Sequence, residues 1–466
     1  LAARASRAAV LSSCSPAEAA TAAATAAATA DASAETPNHF MTCLRDIKSL
    51  AEFDFVFKGF QRLLSNPHKA NMTVLPSSMK QINCFQELLI LFWKLVDKNK
   101  EFLSHILKSY DINEVVVPML YFMYEGRKDP SRIGLIHICT FILLLLSGER
   151  NFCVALNAPF ATKLPVDLPN FQGNHADLLF IVIYKLITDG PDKLESLYDC
   201  FLTIQSNVSP YVKSFCMSSA MRLLTLFEHF SKPKVLAANE HNHRYLVFFL
   251  EIFNNVIQYQ YEGNPNIIYQ IIQRRQAFEQ LAALGGDGSA DEAPAQPPAA
   301  PDAAPDAAPD APAPAPAAAA APAEAAEAAG EPKTQVKHVT GAQPQGSGFV
   351  MSQEWLRQWK EKLPLQPCLR LLQHLLPQVE HYCQAGAVTN ESLVTDFLRG
   401  TTMVGLLPVP HPILIRKYQP NEYTNLWFTT YIWGVIYLRS QTPSPTGSLF
   451  DANQIKLFTI TFVDST

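Results

Sequence analysis

From about Thr42 to Leu284, apolar residues recur every three or four positions, and this spacing constrains the fold more than any other feature of the chain. Phe53, Val56, Phe57, Phe60, Leu63 and Leu64 make one helical face, Ile82, Phe85, Leu88, Leu89, Phe92 and Leu95 a second, and Phe102, Ile106 and Leu107 a third. The same period predicts helices over Val115–Tyr124, Ile133–Leu146, Ala176–Thr188, Leu194–Ile204, Tyr211–Phe230, Tyr245–Tyr261 and Ile267–Leu284. Asn66-Pro67, Asp129-Pro130, Gly190-Pro191 and Gly263-Asn264-Pro265 fall between them. Pro suits a first helical turn and Gly the residue just past an end. Alternation at period two is scarce, and the best strand candidate is Gln454–Phe462.

Consecutive amphipathic helices with short connections leave two architectures, a globular bundle or an α-solenoid. Several of these helices are apolar on two sides, as expected when each is sandwiched by neighbours. No motif repeats at a fixed period. The expected fold is therefore all-α, an irregular armadillo/HEAT-like solenoid.

Composition divides the chain into four parts. Residues 1–38 are Ala-rich and lack an apolar face, which predicts disorder. Residues 39–284 form the predicted solenoid, and residues 285–348 a Pro/Ala-rich linker in which Asp-Ala-Ala-Pro recurs. The linker has too little apolar surface to offset the entropy of ordering, so a disordered, semi-extended loop is expected. Residues 349–466 return to a globular composition and read as a helical block packing on the solenoid. Ser352 is placed to cap a helix carrying Trp355, Leu356 and Trp359, followed by helices over Leu369–Cys383, Leu393–Leu398 and Trp427–Leu438.

Charge and cysteine usage exclude several classes. The net charge is −5, and the nine acids between Gly285 and Pro332, with no Lys or Arg among them, leave about +4 for everything else. That charge is too small and too scattered for a nucleic-acid-binding face. Nine cysteines without a CxxC pair, mostly inside apolar stretches, read as reduced, buried thiols in the cytoplasm. No apolar signal-peptide region follows Arg4 and Arg7. Ile133–Leu146 is apolar but short of the roughly 20 residues of a span, and His137 lies inside it, so a buried core helix is expected.

Motifs that carry chemistry are missing. The sequence has no GxGxxG, Walker A or GxSxG pattern, so neither a cofactor nor a small-molecule substrate is expected and the chain reads as non-enzymatic. His241 and His243 are two residues apart, a spacing that keeps them off one helical face, and a solvated helix start is favoured over a metal site. His175 and Asp177 follow Gly173-Asn174, where Asn and Asp cap a first turn, and this reading is favoured over a base with its orienting acid.

Two segments stand out as docking candidates. Glu149 and Arg150 follow Gly148, which suits a left-handed helix end, and form either a local ion pair or a contact surface. Pro408, Pro410 and Pro412 fix an extended path through His411, and Arg416, Lys417 and Tyr418 follow it. This strap either crosses the helices, burying Ile413 and Ile415, or offers Arg416 and Lys417 to acidic groups. Trp427, Phe428, Tyr431, Trp433 and Tyr437 form an aromatic stripe read as core packing rather than as a membrane-interface belt. A helical lipid-binding or membrane-inserting protein is the alternative to a scaffold, and a continuous apolar groove is what it requires.

Several runs resemble the high-temperature-induced dauer formation protein family, a relative of the dymeclin family. They are Arg62–Pro67 (RLLSNP), Gln86–Lys94 (QELLILFWK), Phe141–Phe152 (FILLLLSGERNF), His175–Leu179 (HADLL) and Asn207–Tyr211 (NVSPY). Val404–Tyr418 (VGLLPVPHPILIRKY) and Trp433–Arg439 (WGVIYLR) continue the likeness beyond the linker. The resemblance implies a cytosolic protein peripheral on Golgi and trans-Golgi membranes, contacting other trafficking proteins in dense-core vesicle biogenesis and neuropeptide sorting. It also implies that full-length relatives begin with a myristoylatable Gly and a further helical region, so this chain corresponds to their later part.

Overall fold

The computed structural model describes residues 38–72, 82, 84–161, 164, 171–284, 352–386, 390–403, 405–407 and 412–441. These residues are helical throughout their regular structure, with no β-strand among them. They fall into two compact units, one drawn from Leu1–Asn170 with Ile415–Thr466 and the other from Phe171–Leu414.

The first unit opens with helices α1 (His39–Asp46), α2 (Leu50–Leu64), α3 (Asn66–Met72), α4 (Phe85–Lys98), α5 (Lys100–Ser109), α6 (Asn113–Gly126), α7 (Ile133–Ser147) and α8 (Arg150–Ala155). Each packs mainly on elements one to four places away in sequence, as stacked helical hairpins do: α2 on α4, α5 and α6, and α7 on α4, α6 and α8. The Asn99 side chain caps α5 by accepting the Phe102 N–H at 2.8 Å. Its amide also donates to Leu44 O at 3.0 Å and Ile47 O at 2.9 Å, which anchors the end of α1. By length and composition, Pro130–Ser147 is apolar enough to cross a membrane. In the structure α7 is a core helix, with Leu135, Ile136, Ile138, Cys139, Ile142, Leu143 and Leu146 buried.

The second unit contains α9 (His175–Asp189), α10 (Tyr198–Val208), α11 (Met217–Ser231), α12 (Pro233–Ala238), α13 (His243–Tyr259), α14 (Pro265–Gln273), α15 (Arg275–Ala283), α16 (Gln353–Lys360), α17 (Gln366–Gly386) and α18 (Glu391–Arg399). Helices α9 and α14 pack on α11, and α17 covers α13, α14 and α15. Asn174 and Asp177 form a reciprocal capping box at the start of α9. Asp177 does more than cap: it is 1% exposed and also accepts the Cys216 N–H at 2.9 Å and the Ser219 hydroxyl, joining α9 to the start of α11. Fully buried Asn264 plays the same part at the next turn, accepting the Phe215 N–H at 2.8 Å and donating to Gln260 O at 2.7 Å. Beside it, Gly263 passes so close to Lys213 that a Cβ would lie 1.9 Å from the Lys213 carbonyl oxygen, which only glycine allows.

Helix α16, which follows the linker in sequence, lies against the end of α15. The Lys360 ammonium on α16 donates to Leu284 O at the end of α15. Trp359 stacks on His243 with ring centroids 5.3 Å apart, and Trp355 meets the same imidazole edge-on at 5.5 Å. Ser352 accepts the Trp355 N–H at 3.1 Å, the cap expected from sequence.

Several expectations change. The compact units divide near Asn170 and near Leu414. The helix predicted over Ile267–Leu284 is two helices broken at Arg274. Gly148 is right-handed at φ −70°, not left-handed. Cys43 and Cys84 are exposed, although Cys139, Cys153 and Cys368 are buried thiols. His243 is half-buried between indoles rather than solvated. The Ala-rich start, the 285–348 linker and the Gln454–Phe462 strand candidate lie outside the described residues.

Candidate interaction site

The long helix α19 (Glu422–Gln441) closes the first unit, and the extended segment Ile415–Asn421 leads into it. Its docking is aromatic. Phe428 is buried and stacks on Trp93 of α4 at 3.8 Å between centroids. Trp427 stacks on His137 of α7 at 4.9 Å, and Phe141 meets Trp427 at 5.9 Å and Phe428 at 5.1 Å. The Tyr431 hydroxyl donates to Gln86 Oε1 at 3.0 Å. Gly134 makes room for this ring, since a Cβ there would lie 2.5 Å from Tyr431 Cε2. His137 Nδ1–H donates to Ile133 O at 2.9 Å, and burial holds its imidazole below the usual histidine range.

The aromatic stripe is therefore divided between two fates. Phe428 is core, and Trp427 and Tyr431 are half-buried against α4 and α7. Trp433 is 47% exposed and Tyr437 64% exposed, where core packing was expected for both. Periodicity places all five on a helix, but only the neighbouring helices decide which side is covered.

Beside this clasp, the structure gathers part of the predicted docking set. Glu149 occupies the N-cap position of α8 and exposed Arg150 its first turn. Lys417 Nζ lies 3.3 Å from Glu149 Oε1, and the Tyr418 ring is 5.9 Å from that of Phe141. The strap passes within van der Waals range of Gly148, whose Cβ position is 3.5 Å from Lys417 Cγ. Arg416 is half-buried, and His411 lies outside the described residues. The side chains of Lys417 and Glu149 are 67% and 39% exposed, so their pair contributes well under about 1 kcal/mol. It positions the strap more than it stabilises the fold.

A cavity of about 130 Å³ opens between strap and helices. Val96, Leu103 and Leu145 line it together with the charges of Asp97, Lys100, Glu149 and Lys417. Neither Asp97 nor Lys100 was singled out from sequence, because they belong to a different helical turn some 320 residues from the strap, a separation read from their numbers. The arrangement alternates both signs of charge around apolar ground, which suits a polypeptide segment better than a small substrate. The second unit holds a larger cleft of about 680 Å³, lined by Lys213, Tyr259, Tyr261, Glu262 and Met403 among others. Neither cavity is lined by apolar groups alone, as a lipid-carrying groove would be. Among the described residues, no cluster of His, Cys, Asp or Glu is arranged to hold a metal ion.

Comparison with known proteins identifies the family of the chain. The family described as "Dymeclin: Dyggve-Melchior-Clausen syndrome protein" matches residues 8–435. The chain is 43% identical over 469 residues to Protein HID1 of Homo sapiens, covering 91% of this chain and 59% of that protein. It is 31% identical over 502 residues to Protein HID1 of Dictyostelium discoideum, covering 91% of this chain and 55% of that one. The Ubp5-interacting protein ftp105 of Schizosaccharomyces pombe is 24% identical over 280 residues, 55% of this chain and 30% of that protein. The chain thus spans less than two thirds of the length of the HID1 relatives it matches. No solved structure matches it. The matched span takes in helices of both compact units, and on that footing the chain belongs to the dymeclin/HID1 family.

Proposed function

We propose that this chain is the greater part of a non-enzymatic scaffold, peripheral on Golgi and trans-Golgi membranes, that acts through protein–protein contacts in dense-core vesicle biogenesis and cargo sorting. The observation that carries the contact reading is the surface around Glu149, Arg150, Arg416, Lys417 and Tyr418. There an extended segment lies across helix ends and leaves charged groups of both signs in solvent around an apolar floor. Such a surface recognises a polypeptide by matched charge at its rim. A fission-yeast relative is named for its interaction with Ubp5, which supports a family that works by binding other proteins. Membrane attachment of the whole protein through an acylated start belongs to the same proposal, and one myristoyl chain alone binds only marginally, so a second contact is required.

The test is proximity labelling in secretory cells with the whole protein, wild type against the paired substitution Arg416→Glu and Lys417→Glu. Golgi trafficking proteins are expected among the labelled set, and the paired variant should lose a subset of them while keeping its Golgi position. Labelling dominated by non-Golgi proteins refutes the Golgi scaffold. An unchanged set in the variant refutes the strap surface.

A further inference from the structure

The cavity under the strap continues along the outer side of α5. A shallow hollow of about 420 Å³, lined by Lys100, Glu101, Ser104, His105, Lys108 and Ser109, shares Lys100 with it. Lys100, Ser104 and Lys108 are exposed and four residues apart, so they run in one row along the helix. Most of the acids beside this row are engaged. Asp97 holds Lys98 at 2.8 Å, Glu149 holds Lys417 at 3.3 Å, and Asp54 accepts from His105 Nε2 at 2.7 Å. Among the described residues, Lys100, Lys108 and exposed Arg150 have no carboxylate within ion-pair reach, and Glu101 has no cation. Three cations against one acid leave this surface short of negative charge, which the acidic groups of a partner supply.

Dimensions select the kind of partner. A helix is about 10–12 Å across with its side chains and cannot enter a cavity of about 130 Å³. An extended segment lowers one side chain into it while its backbone runs on along α5, because alternate side chains face the same way. A uniformly anionic bilayer fits poorly, since Asp97, Glu101 and Glu149 lie among the cations and would face its headgroups. A segment with spaced acids sets neutral residues over them. Lys100 and Lys108 are eight residues apart on α5, about 12 Å along its axis. An extended chain covers that span in about four residues at roughly 3.3 Å each, and residues four apart point to the same side. We propose that this row recognises an extended polypeptide segment carrying Asp or Glu at positions four apart, one carboxylate at Lys100 beside the strap and the other at Lys108. The proposal rests on the strap surface being a protein contact, and adds the chemistry of what it contacts.

The experiment is an array of peptides about ten residues long in a Ser/Val background, with two Glu moved through every pair of positions, probed with the 466-residue chain. The expected pattern is a maximum at a spacing of four, at least about threefold above adjacent Glu and lost in about 0.5 M salt. Lys100→Glu and Lys108→Glu should each remove the maximum. Glu101→Gln should raise binding about two- to threefold, because it takes away the acid without a cation. All three side chains are exposed, so the fold tolerates the changes, and Lys128→Glu, an exposed lysine outside the row, should leave the maximum in place. No preference for a spacing of four, a maximum that survives Lys108→Glu or is equally lost in Lys128→Glu, or weaker binding by Glu101→Gln overturns the proposal. Vesicles containing about 30% phosphatidylserine form the second arm. Vesicle binding abolished by Lys100→Glu and Lys108→Glu assigns the row to a membrane and overturns the proposal too. An array without a maximum refutes it even where the Arg416→Glu and Lys417→Glu variant loses labelled partners, since that loss supports the contact surface without its acidic class.

Discussion

Replacing Asp177 with Ala measures how far one buried carboxylate organises the second unit. It takes the Asn174 N–H at 3.0 Å, the Cys216 N–H at 2.9 Å and the Ser219 hydroxyl. The Ser219 hydroxyl already has another acceptor, Cys216 O at 3.1 Å, and turns to it at little cost. Two backbone N–H groups are then left without an acceptor. Each buried donor so stranded costs about 1–3 kcal/mol, giving about 2–6 kcal/mol in all. Burial, however, pushes the Asp177 carboxyl above the usual carboxylate range, so the native ion already carries a desolvation cost that its removal relieves. The balance is a loss of about 2–4 kcal/mol. Asp177→Asn keeps one acceptor oxygen and should lose about half as much. With two compact units in one chain, a single unfolding midpoint is not a two-state quantity, so hydrogen exchange at the Asn174 and Cys216 amides is the assay. The Ala variant should exchange there roughly 30- to 1,000-fold faster, at 1.4 kcal/mol per tenfold. An acceleration below about fivefold would show that these bonds are replaceable and that the cap alone holds α9.

Three further outcomes follow from the same geometry. Gly134→Ala sets a methyl group 2.5 Å from Tyr431 Cε2 and should displace α19, raising the accessibility of Trp427 to a fluorescence quencher; unchanged quenching would mean that the ring simply pivots. Because burial depresses the folded pKa of His137, its contribution to stability is complete above the ordinary value of 6.5 and is lost as pH falls through the folded pKa, so the clasp should loosen on acidification below 6.5 in the wild type and to a smaller extent in His137→Phe. Replacing residues 285–348 by a linker of about ten residues should leave thermal stability unchanged or raise it by at most about 2 kcal/mol, the loop-closure difference; loss of cooperative unfolding would show that the segment takes part in the fold.

The helices were legible because their apolar period is long and repeated, and the α9 cap because Asn and Asp three residues apart satisfy a first turn locally. What Asp177 does at Cys216 and Ser219, 39 and 42 residues away, was not legible, since no local rule relates those positions. The same limit applies to the strap. Its prolines announce an extended path, but the Lys417–Glu149 contact joins residues 268 positions apart. The aromatic stripe shows the limit most sharply, because Phe428 and Trp433 have similar chemistry and opposite environments. Gly134 carried a weak signal, an isolated glycine in a strongly apolar helix, which tends to mark a close approach.

That the first unit is built from both ends of its sequence sets an order of events during synthesis. The second unit is continuous and has all its helices once residue 414 has left the ribosome. The first must wait for α19, which begins 275 residues after α7 ends at Ser147. At roughly 5–20 residues per second, Trp93, His137 and Phe141 stay uncovered for about 15–55 s, long enough to meet a holdase chaperone or another nascent chain. A stop codon just before Glu422 would make that interval permanent. Such a truncated product should be recognised by quality control through the first unit, although every helix of the second is present.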